Sequence, residues 1–328
     1  MPRISVIIPL YNAEKTIEGT LQSVFNQTVD DIEIIIINDG STDLSLQKIK
    51  AINDPRLQVY SFKNAGASVS RNRGFAKSSG ELISFLDADD QWTPSKLQDQ
   101  MSALDSHPDA GVAYSWTEFI DEADHVIVKG RAMTVKTRQE AYQRLLVSNF
   151  LDNGSNPLIR REAIAFINGF NESLQACQDN DFYLRLAMHY AFVTVPKYQI
   201  KYRLSSTSMT ADTSKWEKNS LAFLELAFAT APVSLQPLKK KRLTDLYRNL
   251  MLRSLEGEPC PQKSWRTCIY LAKTLWYGPS LAKQQTSFFL TVLLKSIIGL
   301  VTPSPIAKLI FQHITSRRQR QIAQYDRT

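Results

Sequence analysis

Cysteine is scarce in this chain: Cys177, Cys260 and Cys268 are the only three in 328 residues. They make neither a disulfide framework nor a metal-site spacing, which fits a reducing compartment. The N-glycosylation sequons at Asn26, Asn153 and Asn171 then read as chance matches. Histidine is nearly as rare. His107, His125, His189 and His313 show no metal spacing and read as structural or surface residues. Phosphate motifs are missing too. There is no G-x-x-x-x-G-K-[ST] and no G-x-G-x-x-G after the first strand, which excludes a P-loop and a dinucleotide fingerprint. The opening MPRISVIIPLYN is too short an apolar run for a signal peptide, being broken by Pro9 and Asn12, so a cytoplasmic location is expected. The most apolar region, 286–314, is interrupted by Lys295 and broken by Pro303 and Pro305. It falls short of the ~20 apolar residues that span a bilayer.

What is present points to a sizeable protein with two unlike parts. At 43% hydrophobic and 22% charged residues the chain buries a real core and exceeds one typical domain. Residues 1–212 hold 21 Lys and Arg against 26 Asp and Glu, a net of −5, whereas 213–328 hold 18 against 6, a net of +12. That asymmetry places the domain boundary near residue 212 and an anionic partner near the second part.

Arg3–Ile8, Ile32–Asn38, Leu57–Phe62 and Glu81–Leu86 read as strands, short and rich in β-branched and aromatic residues. Between the first two, Ile17, Leu21, Val24 and Phe25 mark one face of a helix. The run Ile34-Ile35-Ile36-Ile37 suits a strand covered on both faces. The series is therefore α/β with a mostly parallel, Rossmann-like sheet, whose ligands bind at the carboxyl ends of the strands. Three polar stretches sit there: Pro9-Leu10-Tyr11-Asn12, Asn38-Asp39-Gly40-Ser41-Thr42-Asp43 and Asp87-Ala88-Asp89-Asp90. Clustered carboxylates beside an apolar strand require a counter-charge. In an extended segment Asp87 and Asp89 share a face, a donor pair suited to Mg²⁺ or Mn²⁺ bridging to a diphosphate.

The segments VIIPLYN, IIINDGSTD, NAGASVSRNRG and FLDADD, in this order, with GFNESLQACQDNDFYLRLA (169–187) after them, resemble family 2 glycosyltransferases of the GT-A fold. The resemblance covers roughly residues 3–210 and implies an inverting transfer from a nucleotide sugar. It implies that Pro9 and Tyr11 line the nucleobase pocket and that Asp39 accepts the N3–H of uracil. Arg71 would reach the nucleotide or its phosphates. Asp87, Ala88 and Asp89 would form the D-x-D donor site, with Asp87 and Asp89 on the metal. Asp179 would be the catalytic base. Two positions depart from the family pattern: Gln178 stands where many members have Glu, and Ser205 where many have a histidine near the metal.

Each residue has a plainer reading by itself. Asp39 before Gly40 also starts a turn, and Asp179 or Asp181 also caps the helix expected at Phe182–Tyr190. Asp121, Glu122 and Asp124 read as a solvated hairpin turn. Past residue 212 helical patterns dominate: an apolar stripe at Leu221, Leu224, Ala227 and Phe228, then a basic knot, Lys239-Lys240-Lys241-Arg242, before Leu243, Leu246, Leu250 and Leu252. The tail closes on Arg317-Arg318-Gln319-Arg320. Apolar helices flanked by cations suit an anionic membrane surface, with a helical cap or a dimer interface as the alternative. No nucleic-acid reader motif accompanies the charge. The expected function is a metal-dependent glycosyltransferase of bacterial surface polysaccharide or glycolipid synthesis, with a glycan or lipid-linked acceptor. A non-catalytic nucleotide-sugar scaffold and a sugar-phosphate nucleotidyltransferase remain as alternatives.

Overall fold

The structure, a computed structural model, describes residues 2–204 and 213–311. They fall into two compact units, one of 2–204 with 222–230, the other of 213–221 with 231–311.

In the first unit the expected alternation appears as β1 (Ile4–Leu10), α1 (Ile17–Phe25), β2 (Ile32–Asn38), α2 (Ser45–Lys50), β3 (Leu57–Ser61), α3 (Ala67–Lys77) and β4 (Leu82–Phe85). After it come β5 (Gln91–Trp92), α4 (Lys96–Ser106), β6 (Ala110–Ile120), β7 (Val126–Gly130), α5 (Arg138–Val147), β8 (Leu158–Arg160), α6 (Arg161–Phe166), α7 (Gln178–Ala187) and β9 (Ala191–Arg203). The sheet order is β3-β2-β1-β4-β8-β6-β9-β5, with β7 on β6. The block β3-β2-β1-β4 is parallel. Beyond it the sheet is mixed: β8 is antiparallel to β4 and β6, β9 is parallel to β6, and β5 is antiparallel to β9.

Both faces of the inner strands β1 and β2 are covered, which is why they are mostly apolar. Ile4, Val6, Ile8, Ile34 and Ile36 join Ile17, Leu21 and Val24 of α1 in one core. On the other face α3 lies so close that a Cβ on Gly74 would strike Ile7. The sheet also curls. Only residues 86–90 separate β4 from β5, yet those strands stand four places apart in the order. A flat sheet would set them about 19 Å apart at ~4.8 Å per strand.

The second unit is helical. It holds the first part of α8 (Thr213–Ala229), then α9 (Leu238–Ser254), α10 (Pro261–Tyr277), α11 (Pro279–Gln284) and α12 (Thr286–Val301). Among the described residues no helix is long and apolar enough to cross a membrane. Ser205, His313 and Arg317–Arg320 lie outside the described residues.

Candidate active site

Three loops meet at the carboxyl ends of β1, β2 and β4. The Asn12 backbone N–H donates to Ser41 Oγ at 3.1 Å, and Asn12 Oδ1 accepts from the Thr42 N–H at 2.8 Å, joining the first loop to the second. Asn12 adopts φ 49°, a left-handed conformation that Asn tolerates better than most residues. Pro9 is the penultimate residue of β1, and the Tyr11 ring just beyond the strand is exposed. Asp39 is buried, and its two carboxylate oxygens accept the N–H groups of Ala65 (2.9 Å) and Gly66 (2.8 Å). Arg73 stands 3.4 Å from it. Asp39 thus fixes the loop entering α3, and each oxygen keeps acceptor capacity.

The segment Asp87-Ala88-Asp89-Asp90 is a turn and not an extended strand end, which corrects the sequence expectation. The Asp90 N–H donates to the Asp87 carbonyl at 3.1 Å. The Ala88 carbonyl is held by the hydroxyls of Thr16 (2.8 Å) and Thr20 (3.0 Å). Asp90 turns inward, accepting from Ser155 Oγ and from the Arg203 N–H. A shared face for Asp87 and Asp89 therefore does not follow from strand alternation. Only Asp90 is drawn inward by these bonds, and the three carboxylates still repel one another.

Part of the counter-charge is the chain's own. Arg71, only 4% exposed, donates from one NH to Asp87 Oδ1 at 2.6 Å and has the other 3.4 Å from Asp179 Oδ1. Its guanidinium also lies 5.2 Å from the centre of the Phe170 ring. Between two carboxylates it is held firmly protonated, against the cost of its burial. So Arg71 joins two aspartates that stand 92 positions apart in the sequence. Asp179 is in the first turn of α7, and Cys177 (φ 60°) precedes the helix, so neither Asp179 nor Asp181 is its N-cap. The Asp179 side chain is 27% exposed. Its carboxyl is pushed above the usual range by burial, opposed by Arg71 and reinforced by Asp87.

Asp89 is the remaining carboxylate of the turn, with the nearby Arg203 charge favouring its ionised form. Its side chain makes no ion pair among the described residues, and burial with the nearby Asp87 raises it to about 6. A half-buried carboxylate in that state would be stabilised by a hard cation. Among the described residues no group of three or more His, Cys, Asp or Glu could hold a metal. The donor set Asp87 and Asp89 thus fits Mg²⁺ or Mn²⁺ only if phosphate oxygens and water complete the shell, as is common for Mg²⁺.

Two supports escaped the sequence reading. Arg203, at the end of β9, donates to the Asp89 carbonyl (3.0 Å) and the Asp121 carbonyl (2.7 Å), and pairs with Asp124. Asp124 is therefore not simply solvated. The loop 151–157 is the other support. Ser155 Oγ accepts the Asp87 N–H at 3.0 Å while donating to Asp90. A Cβ on Gly154 would lie 3.1 Å and 3.2 Å from the two Asp179 oxygens. Tyr183, on α7, donates to the Asn153 carbonyl at 3.0 Å. The only sequence signal was a polar run, Asp152-Asn153-Gly154-Ser155-Asn156, between apolar segments.

The family described as "Glycosyltransferase like family 2" matches residues 5–254. An uncharacterized glycosyltransferase of Haemophilus influenzae is 30% identical over 232 residues, 67% of this chain and 71% of that protein. Among solved structures, S. aureus TarS 1-349 in complex with UDP-GlcNAc gives a TM-score of 0.56 at 17% identity, covering 90% of this chain and 92% of that one. The mannosyltransferase PcManGT from Pyrobaculum calidifontis, in complex with GDP-Man and Mn²⁺, gives 0.57 at 19% identity, covering 91% and 86%. At those identities the two structures speak for the shared fold.

Proposed function

Because the chain belongs to glycosyltransferase family 2, we propose that it is an inverting, metal-dependent glycosyltransferase that takes its sugar from a nucleotide-sugar donor, UDP-linked by the base preference of Asp39. The catalytic domain of this reading is residues 1–212. The observation that carries it is the Arg71 bridge, which holds Asp87 of the D-x-D turn and Asp179 of α7 around one mouth. In this reading Pro9 and Tyr11 flank the base and Asp39 accepts from its N–H. Arg71 meets the phosphates when the donor enters. Asp87, Ala88 and Asp89 receive the sugar–diphosphate end.

Asp179 takes the proton of the acceptor hydroxyl as that oxygen bonds to the anomeric carbon. The bond from the anomeric carbon to the diphosphate oxygen breaks, and its electron pair leaves with the nucleotide. Attack opposite the leaving group inverts the centre. A divalent cation on Asp87 and Asp89 would supply positive charge for the departing diphosphate. The acceptor is a glycan or a lipid-linked glycan, as in surface polysaccharide or glycolipid synthesis. TarS binding UDP-GlcNAc and PcManGT binding GDP-Man with Mn²⁺ support a nucleotide-sugar donor and a divalent ion.

The test is a screen of UDP- and GDP-sugars for hydrolysis or transfer, with Mn²⁺ and with chelator, on the wild-type chain and Asp89→Ala. Turnover that needs Mn²⁺ and disappears in Asp89→Ala is the expected result. Equal UDP affinity with and without Mn²⁺ in both proteins would overturn the metal assignment. Metal-dependent binding without turnover on any donor would make the chain a nucleotide-sugar scaffold.

A further inference from the structure

The two faces of α12 have opposite surroundings. Phe289, Val292, Ser296 and Gly299 are buried, and a Cβ on Gly299 would strike Ser264 of α10. The opposite face carries Leu290, Leu293, Leu294, Ile297 and Val301, each 39–77% exposed. At 3.6 residues per turn these five fall within about 100° of the helix circumference. The stripe continues past Pro303, where residues 304–311 are helical and Ile306 and Leu309 are exposed. α10 adds an outward row of its own, Trp265, Ile269 and Trp276. Exposed apolar rows of this kind mark a contact with something other than water.

Charge selects the occupant. Residues 213–311 hold 14 Lys and Arg against 5 Asp and Glu, a net of +9. Pairing two copies would bring like charges together, whereas an anionic lipid surface attracts them. Spanning is not open to α12, which is too short and lends one face to α10. Lying in the interface plane is open to it. We propose that the outer face of α12, continued by 304–311, docks on an anionic lipid bilayer. Leu290, Leu293, Leu294, Ile297 and Val301 enter the boundary between headgroups and acyl chains, and the positive charge of residues 213–311 draws the helix to the headgroups. This surface does not depend on which donor or metal the first unit uses.

The experiment is flotation of the full chain with vesicles of phosphatidylcholine alone or mixed with phosphatidylglycerol, at low and high salt. The variant is Leu290→Ser/Leu294→Ser/Ile297→Ser, changed only at exposed positions, with circular dichroism melting as the control for folding. The wild type should float with the anionic vesicles only, and less at high salt. The variant should lose roughly tenfold or more in vesicle affinity with an unchanged melt, since binding scales with inserted apolar area. Failure of the wild type to float with either vesicle overturns the proposal whatever the variant does. So does a folded variant that floats as well as wild type. A wild-type dimer that the variant converts to monomer in sedimentation velocity would assign the stripe to a second copy instead.

Discussion

Asp179 sits in a field of opposing influences. Burial raises its carboxyl, Arg71 lowers it, and Asp87 raises it again, with a net shift above the usual range. A base must be unprotonated to act, so the acid limb of kcat/KM should lie at higher pH than an ordinary carboxylate gives. Asp179→Asn keeps the size but cannot take a proton, so turnover should fall ~10²–10⁴-fold while donor affinity holds. Arg71→Met removes the lowering charge and should move the acid limb further up in pH. Steady-state kinetics across pH on the three proteins check this. A limb unmoved in Arg71→Met, or near-normal turnover in Asp179→Asn, would transfer the base role, with Asp181 next to be tried.

At the scale of elements, the loop 151–157 acts as a spacer between the D-x-D turn and α7. Gly154 touches the Arg71–Asp179 side and Ser155 the Asp87–Asp90 side. Substitutions at these neighbours should separate. Gly154→Ala crowds the Asp179 carboxylate by a few tenths of an ångström, so it should reduce turnover with little change in urea stability. Ser155→Ala leaves the buried Asp90 short of a donor and the Asp87 N–H without an acceptor, at a cost of about 1–3 kcal/mol. It should also weaken Mn²⁺ binding, because the turn loses its tie. Urea unfolding and Mn²⁺ titration of both variants decide it. Equal effects of the two substitutions on stability and turnover would remove the distinction.

For the stability of the whole molecule, the telling residue is Lys96. It is fully buried, donates to Ser84 Oγ at 2.7 Å and stands 3.8 Å from the centre of the Trp92 ring. The ring face favours its charged form, but burial prevails and holds its pKa well below the usual lysine value. Between the folded and unfolded pKa values the unfolded chain carries a proton that the folded one lacks. Stability therefore rises with pH across that window and is lost as pH falls toward the folded value. Lys96→Met fills the same space without a titratable group. It should be neutral or stabilising at neutral pH and should flatten the rise of stability toward alkaline pH. Denaturant unfolding between neutral and alkaline pH measures both slopes, and parallel slopes for the two proteins would refute the account.

The parallel block was legible in the sequence because Ile4–Leu10 and Ile32–Asn38 are apolar at all but Ser5, Glu33 and Asn38, a pattern expected when helices cover both faces. The polar segments at the ends of those strands were legible too, since a parallel sheet brings its strand ends to one edge. Local sequence could not show that Asp87–Asp90 is a turn, because that conformation is held by Thr16, Thr20, Ser155 and Arg203, which come from three distant segments. Nor could it show that Arg71 joins Asp87 to Asp179, a pairing that exists only where α3, the β4 end and α7 meet. The exposed face of α12 lay hidden for a related reason. Its apolar residues all read alike until packing within the second unit buried Phe289, Val292 and Gly299 and left Leu290, Leu294 and Ile297 outside. Strand periodicity is a local property of the backbone, whereas ion pairs and burial depend on which distant segments come into contact.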